Sequence, residues 1–307
     1  MGICCVGQAV YDIIGRVDEA LAPDTKYRID EHVECPGGPA LNSACVCGLW
    51  GAEVSLVARV GDDSYGTLVR DGLARYGVDA SLMIDDAAAR TSFSLVIANG
   101  ETGGRTIFNF PSPEGETSVR FPETAPDVIL SDGHEPEASL DLLRAFPDAA
   151  SVVDAGTCRE STLVAAREVD YLVASHDFAD QYLKRPLALD SDVSLLDDLL
   201  ALRDINHGRV VVTLGSEGLV YLDGDNLVRM PAFEVSAVDS TGAGDIFHGA
   251  FAFGLDCGLS MRDCLLLSSM ASAISVTRQG SQTSIPTLSE VLDQLRSYGI
   301  EFVGLGA

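Results

Sequence analysis

Lysine is almost missing from this chain. Lys26 and Lys184 are the only two in 307 residues, and 20 basic side chains face 46 acidic ones. A net charge of −26 repels nucleic acid and anionic membrane, so neither is expected as a partner. Such a surface favours solubility, and an anionic substrate would need a local basic patch to offset the field. Long apolar runs are also lacking. The N-terminus MGICCVGQAVYDIIG has no basic region followed by a long apolar segment, so neither a signal peptide nor a membrane span is expected. There is no internal repeat or low-complexity tract. A GxxxxGK[ST] loop is absent, as is a GxGxxG after the first apolar run, which argues against P-loop and dinucleotide-binding folds. The five histidines (His32, His134, His176, His207, His248) show no metal-ligand spacing and no HExxH. The eight cysteines form no regular framework, which suggests reduced thiols and a cytoplasmic setting. Cys45-x-Cys47 has the wrong spacing for a zinc knuckle and reads as buried helix.

What remains describes a globular α/β chain: 47% hydrophobic residues, 30 glycines, and room for a large core in one elaborated domain or two. Strand candidates are 3–6, 54–60, 128–130, 152–153, 171–173, 210–214 and 219–222. Several run straight into small polar residues, as in VILSDG, VVDAG and VVVTLGSEG. Helix-like segments cover 39–50, 66–76, 191–206, 242–257 and 261–277. This alternation predicts a parallel sheet covered on both faces, with ligands gathered beyond the carboxyl ends of its strands. Segments 16–35 and 90–111 instead read as extended strands with turns, Asn99-Gly100 and Gly103-Gly104 bracketing a hairpin. They can pair into a small sheet that closes over a ligand.

The chemistry concentrates in VDSTGAGDIFHGAFAFG, residues 238–254. Gly242, Ala243 and Gly244 lead into an apolar helix-like run, and a helix start offers unpaired N–H groups and a positive dipole end to phosphate. Asp245 sits where a carboxylate can take a proton from an attacking hydroxyl. An acidic residue in the first turn of a helix is also common and mildly stabilising. Gly7 and Asp12 follow the first strand, and a carboxylate there can accept hydrogen bonds from sugar hydroxyls or simply serve a turn. In Pro36-Gly37-Gly38-Pro39-Ala40-Leu41-Asn42, glycines again precede a helix, with Asn42 one turn in. The segment Thr213-Leu214-Gly215-Ser216-Glu217-Gly218 suits a turn around a nucleotide, and equally a plain hairpin. His248 reads as a satisfied helix histidine rather than a catalyst.

Three motifs in order, PGGPALNSA at 36–44, GAEVSLVARVGDDSYG at 51–66 and VDSTGAGDIFHGAF at 238–251, resemble the ribokinase-like (PfkB) carbohydrate kinases. The resemblance runs from Ile3 to about Ile285. It implies a three-layer α/β/α sandwich with a small β-sheet lid, the core taking 1–15, 36–89 and 112–307 and the lid 16–35 and 90–111. It implies an ATP-dependent sugar kinase with Asp245 as base and Gly242, Ala243 and Gly244 as anion hole. Asp12, Gly37, Gly38 and Asn42 fall on sugar-binding positions, and Thr213, Gly215, Ser216 and Gly218 on the nucleotide turn. A free aspartate titrates near ~3.9, so Asp245 is expected to be ionised at neutral pH. The segment VTRQGSQTSIP, 276–286, resembles the ribokinase element that holds a monovalent cation, here through Asp239, Thr241, Ser275, Arg278, Gly280 and Ser284, which implies potassium activation. Magnesium is implied too, but the family's Asn-x-x-Glu is replaced by Ser175-His176-Asp177-Phe178, leaving Asp177 or Asp180 to act through water.

The lid run 103–115 most resembles a branch that includes sulfofructose kinases. There, a lid lysine, an asparagine and an arginine contact the anionic group; Lys26 and Asn109 match the first two, and His134 stands in the third place. A histidine is a weaker donor than a guanidinium, and Asn42 is more typical of kinases for neutral sugars, so a pentose or ketohexose is preferred and an anionic sugar is the alternative. A nucleoside kinase and a sensor that binds without turnover are further alternatives. Apolar lid residues Phe93, Leu95, Ile97 and Ile107 are expected to be exposed and to support a homodimer.

Overall fold

Ile3, Cys4, Cys5 and Val6 are all buried, as a strand covered on both faces requires. In the computed structural model, which describes residues 2–86, 90–99, 105–112, 119–302 and 305, they form β1 (Ile3–Val6). There follow β2 (Val10–Val17), β3 (His32–Gly37), α1 (Pro39–Leu49), β4 (Val54–Val57), β5 (Arg59–Gly61), α2 (Ser64–Ala74), β6 (Val78–Asp79) and β7 (Ile84–Asp86). Next come β8 (Phe93–Asn99), β9 (Arg105–Phe110), β10 (Val128–Ser131), α3 (Pro136–Ala145), β11 (Ala150–Ala155), α4 (Glu160–Ala166), β12 (Tyr171–Ser175) and α5 (His176–Leu183). The chain continues through α6 (Asp192–Arg203), β13 (Arg209–Thr213), β14 (Leu219–Asp223), β15 (Asn226–Met230), α7 (Ala243–Asp256), α8 (Met261–Ser275) and α9 (Leu288–Ser297).

Nine strands form one sheet in the order β15-β14-β13-β12-β11-β10-β1-β4-β6. From β6 to β13 all neighbours are parallel, and β14 and β15 extend the edge antiparallel. The two-residue period of a strand sends alternate side chains to opposite layers. Ile3 and Cys5 join the core with α1, α7, α8 and α9, while Cys4 and Val6 pack on the opposite side with α3. On that same opposite side, Leu172 and Ala174 of β12 pack with α4, α5 and α6. The result is the expected α/β/α sandwich. The strand order reverses between β1 and β10, so their carboxyl ends frame the crevice where such folds bind ligands.

A second sheet stands apart, in the order β3-β2-β8-β9, with β2 and β8 parallel and the two outer pairs antiparallel. The hairpin turn expected around Gly100, Gly103 and Gly104 lies outside the described residues. The strand expected over 54–60 is two strands. The chain leaves the main sheet at Ala58, and β5 pairs instead with β7. The lid apolar surface also differs from expectation. Ile97 is buried, and Phe93 and Leu95 are half-buried, because Phe93 stacks between Tyr65 and Phe110. Among the described residues, the large exposed apolar side chains of the lid are Leu21, Val33, Ile107, Phe108 and Phe110. Among the described residues no helix is long and apolar enough to cross a membrane, and all eight cysteines are free thiols.

Candidate active site

Two close approaches fix the start of α7. Gly242, its N-cap, has φ +75°, and a Cβ there would meet the Ser281 side chain at 2.7 Å, so only glycine fits. Further along, a Cβ on Gly249 would strike the Ser43 backbone at 2.6 Å, which shows how tightly α7 crosses α1. That crossing brings two distant sequence motifs together. Asn42 Nδ2 donates to Asp245 Oδ2 at 2.7 Å, and Ser43 Oγ donates to the Asp245 carbonyl at 2.9 Å. Asn42 Oδ1 is buried and has no hydrogen-bond partner, so it can take one hydroxyl donor beside Asp245.

The first ladder bond of α7 runs from the Ile246 N–H to the Gly242 carbonyl, which leaves the N–H groups of Gly244 and Asp245 ahead of the ladder. The Ala243 N–H already donates to Ser240 at 3.3 Å. A Cβ on Gly244 would meet nothing within 4 Å, so this turn faces open space. Asp245 itself departs from expectation. Withdrawal from water, and then the nearby Asp154 carboxyl, push it up to about 7, while the Asn42 hydrogen bond and His248 act the other way. It is therefore not fully ionised at neutral pH in the free protein, and the ~3.9 of a free aspartate does not apply.

Two acidic side chains and a histidine close the back of this centre. Asp154, at the carboxyl end of β11, is buried, and its carboxyl is raised by burial. Asp132, just past β10, accepts the backbone N–H groups of Gln8 at 2.8 Å, Ala40 at 3.0 Å and His134 at 2.9 Å. Gly7, at φ +151°, lets the chain pass against that carboxylate. His248 is buried one turn after Asp245. Its Nδ1 lies 2.7 Å from the Gly244 carbonyl and 3.3 Å from Asp154, and its Nε2 lies 3.1 Å from the Val173 carbonyl.

On the lid side, Asp12 of β2, Ser94 of β8 and Asn109 of β9 stand in one cross-strand row, hence on one face. Burial raises the Asp12 carboxyl, partly offset by a hydrogen bond from Ser94. Gly37 lacks a side chain where the Asp12 carboxylate crosses it, and Gly38 turns the chain at φ +103° into α1. Asp12, Gly37, Gly38, Asn42 and Asp245 thus form a continuous path from lid to helix start. Lys26 lies in an exposed loop between β2 and β3, and Asn109 is exposed on β9. His134 follows β10, with Arg159 donating toward its Nε2 at 3.3 Å. That guanidinium places a cation beside the His134 ring.

At the other end, Thr213, Gly215, Ser216 and Gly218 form the turn between antiparallel β13 and β14. A Cβ on Gly218 would collide with the backbone of residues 230–232. Asp239 ties the remaining loops: its carboxylate accepts from the Thr241 N–H at 2.9 Å, the Thr241 hydroxyl at 2.7 Å and the Gly280 N–H at 2.9 Å. Ser275 Oγ donates to Ser272 at 2.8 Å, and Ser284 Oγ donates to Ser281 at 2.9 Å. Arg278 points to Glu290 at 2.6 Å, so only its backbone can join a cation site. Asp177 is exposed in the first turn of α5, whereas Asp180 is committed to the Leu187 N–H and to His176. Among the described residues no cluster of three or more His, Cys, Asp or Glu side chains could hold a metal ion.

Sequence reasoning passed over Asp132, Asp154, Ser94 and Arg159 and discounted His248. The two aspartates had a signal, since each ends an apolar strand in SDG or VDAG.

Residues 2–288 match the pfkB family carbohydrate kinase model, and the chain belongs to that family. It is an ATP-dependent sugar kinase, transferring a phosphoryl group to a hydroxyl. It is 28% identical to a ribokinase of Lactococcus lactis over 97% of this chain and 98% of that protein. It is also 28% identical to a nucleoside kinase of Methanothermobacter thermautotrophicus, covering 94% of each. The crystal structure of a ribokinase from Thermotoga maritima superposes with a TM-score of 0.82 at 25% identity, over 96% of this chain and 99% of that one.

Proposed function

We propose that the chain phosphorylates a neutral pentose or ketohexose, with Asp245 as the base. The observation that carries this reading is the Asn42 amide, held on the Asp245 carboxylate while its own buried oxygen lacks a donor. A sugar placed there gives one hydroxyl proton to Asn42 Oδ1 while its neighbouring hydroxyl presents a proton to Asp245. The oxygen of that neighbouring hydroxyl attacks the γ-phosphorus of ATP, its proton passes to Asp245, and the bond to the β-phosphate oxygen breaks to release ADP. The Gly242–Gly244 turn faces the phosphoryl oxygens with helix-start N–H groups. Asp12 and Asn109 hold the remaining hydroxyls from the lid, while Thr213, Gly215, Ser216 and Gly218 hold the nucleotide.

Magnesium enters with ATP, and Asp177 is the exposed carboxylate that can reach it through water. Potassium fits the loops that Asp239 ties together, with Asp239, Thr241, Ser275, Arg278, Gly280 and Ser284 contributing mainly backbone carbonyls. Equal turnover in potassium and tetramethylammonium salts would remove that site. The small sheet acts as the lid, read from the sequence as 16–35 and 90–111, with β2 reaching back to Val10 and β3 on to Gly37. Its exposed apolar side chains, Val33 and Ile107 on the Asp12 face and Phe108 and Phe110 on the other, suit a second copy of the chain.

The test is ADP release across ribose, fructose, purine nucleosides and 6-deoxy-6-sulfofructose. The last belongs in the panel because Arg159 beside His134, with Lys26 and Asn109, offers an anionic sugar several donors. Turnover with ribose or fructose supports the proposal; turnover with the sulfonated sugar alone transfers it to the anionic class. D245N must bind ATP and sugar without turnover.

A further inference from the structure

Both ring nitrogens of His248 face oxygens that can only accept. Nδ1 meets the Gly244 carbonyl at 2.7 Å and the Asp154 carboxylate at 3.3 Å, and Nε2 meets the Val173 carbonyl at 3.1 Å. A neutral imidazole donates from one nitrogen and leaves a lone pair on the other. In this pocket that lone pair would point at a backbone carbonyl, which has no hydrogen to give. We propose that His248 donates from both ring nitrogens, as an imidazolium, and that with Asp154 it forms a buried positioning pair. The pair pins the α7 start to the sheet and sets the charge felt by Asp245. It rests on the reading of Asp245 as the base.

The geometry gives each partner a distinct task. His248 ties Gly244, the residue before Asp245, to β12 in the centre of the sheet, so the phosphoryl-facing turn cannot rotate on its own. A buried positive charge needs a counter-charge, and Asp154 is the carboxylate within reach. The charged groups around the pair are Asp245 on α7 and Asp132 and His134 beyond β10, so Asp245 faces the carboxylates of Asp154 and Asp132 and the ring of His248. Asn42 on α1 is neutral. Two negative neighbours therefore oppose ionisation of Asp245, and one positive neighbour supports it. His248 and Asp154 must then push the proton affinity of Asp245 in opposite directions, which no purely structural role demands.

The experiment records kcat/KM against pH for wild type, H248Q and D154N, and the ¹⁵N ring signals of His248 in the full-length wild type. H248Q retains a donor but no charge, so the acidic limb should move up by about one pH unit. D154N removes a negative neighbour, so the limb should move down. In the wild type both ring nitrogens should be protonated from pH 6 to 8. Unmoved limbs, or limbs moving the same way, overturn the pair. A neutral His248 tautomer overturns it without reference to activity, even if H248Q does not fold. If D245N keeps its turnover, the assignment of the base falls instead, and the ring signals still judge the pair.

Discussion

The start of α7 and the lid sheet meet at the same crevice but are built by opposite rules. Around α7 the polar groups are densely bonded, Asp245 to Asn42, Ser43 to the Asp245 carbonyl, His248 to two carbonyls and Asp132 to three N–H groups, and Asn42 Oδ1 is left open beside Asp245. Glycines at 242 and 249 let backbones approach more closely than any side chain allows. On the lid, the row Asp12, Ser94, Asn109 is regular, but Lys26 and Asn109 are exposed and the long loop from β2 to β3 has no regular structure. A densely bonded network holds one geometry, while a sparse one adapts to its ligand. On the proposed reading the centre fixes the reaction and the rim the choice of sugar.

The contrast can be broken from the centre outward. D245N should lower kcat by about 10²- to 10⁴-fold, measured by coupled ADP release. The same variant should melt higher than wild type at pH 8. Asp245 titrates near ~3.9 unfolded and about 7 folded, so the native state binds this proton more tightly. Its contribution to stability then falls as pH rises between those values and stays low above them. The melting gain of D245N should accordingly shrink toward pH 4 in calorimetry. For the same reason the acidic limb of kcat/KM should lie near neutrality.

Next in size, G242A should destabilise the fold by about 1–3 kcal/mol, because alanine is strained at φ +75° and collides with Ser281. G244A tests the opposite expectation. Its Cβ meets no protein atom within 4 Å, so the melting temperature should hold while turnover falls as the methyl crowds the phosphoryl group. At the rim, N109A and K26A should raise KM a few-fold and leave kcat alone for a neutral sugar. A loss of kcat equal to that of G244A would erase the distinction between the two regions. The smallest effect belongs to F108S with I107S, which should leave turnover per chain unchanged and shift a lid-mediated dimer toward monomer in sedimentation.

Much of this was readable in the sequence, for a physical reason. Motifs held within one turn of backbone, such as Gly242 to Asp245 or Pro36 to Asn42, carry their geometry with them. Strands buried on both faces announce themselves as unbroken apolar runs, as Ile3–Val6 did. The failures share another cause. Asp132, Asp154 and His248 come from three different elements, and only the parallel register of β10, β11 and β12 places them together. The ionisation of Asp245 was misjudged because composition says nothing of a carboxyl's neighbours. Ile97 was expected outside because alternation gives the two faces of a strand but not which one is covered. The break at Ala58 had one local signal that was passed over, the charged Arg59 that follows it in a largely apolar run.

One carboxylate carries a further consequence. The chain enters the lid sheet at Val10 of β2, leaves it at Gly37 of β3, and returns through β8 and β9. The backbone beside the first entry and the first exit, Gln8 and Ala40, is fastened to the same oxygen of Asp132. Two strands of the lid sheet thus hang from one peg, and that peg belongs to the cluster of charges behind Asp245. On the proposed reading, a sugar that displaces either strand pulls on a charge that Asp245 feels.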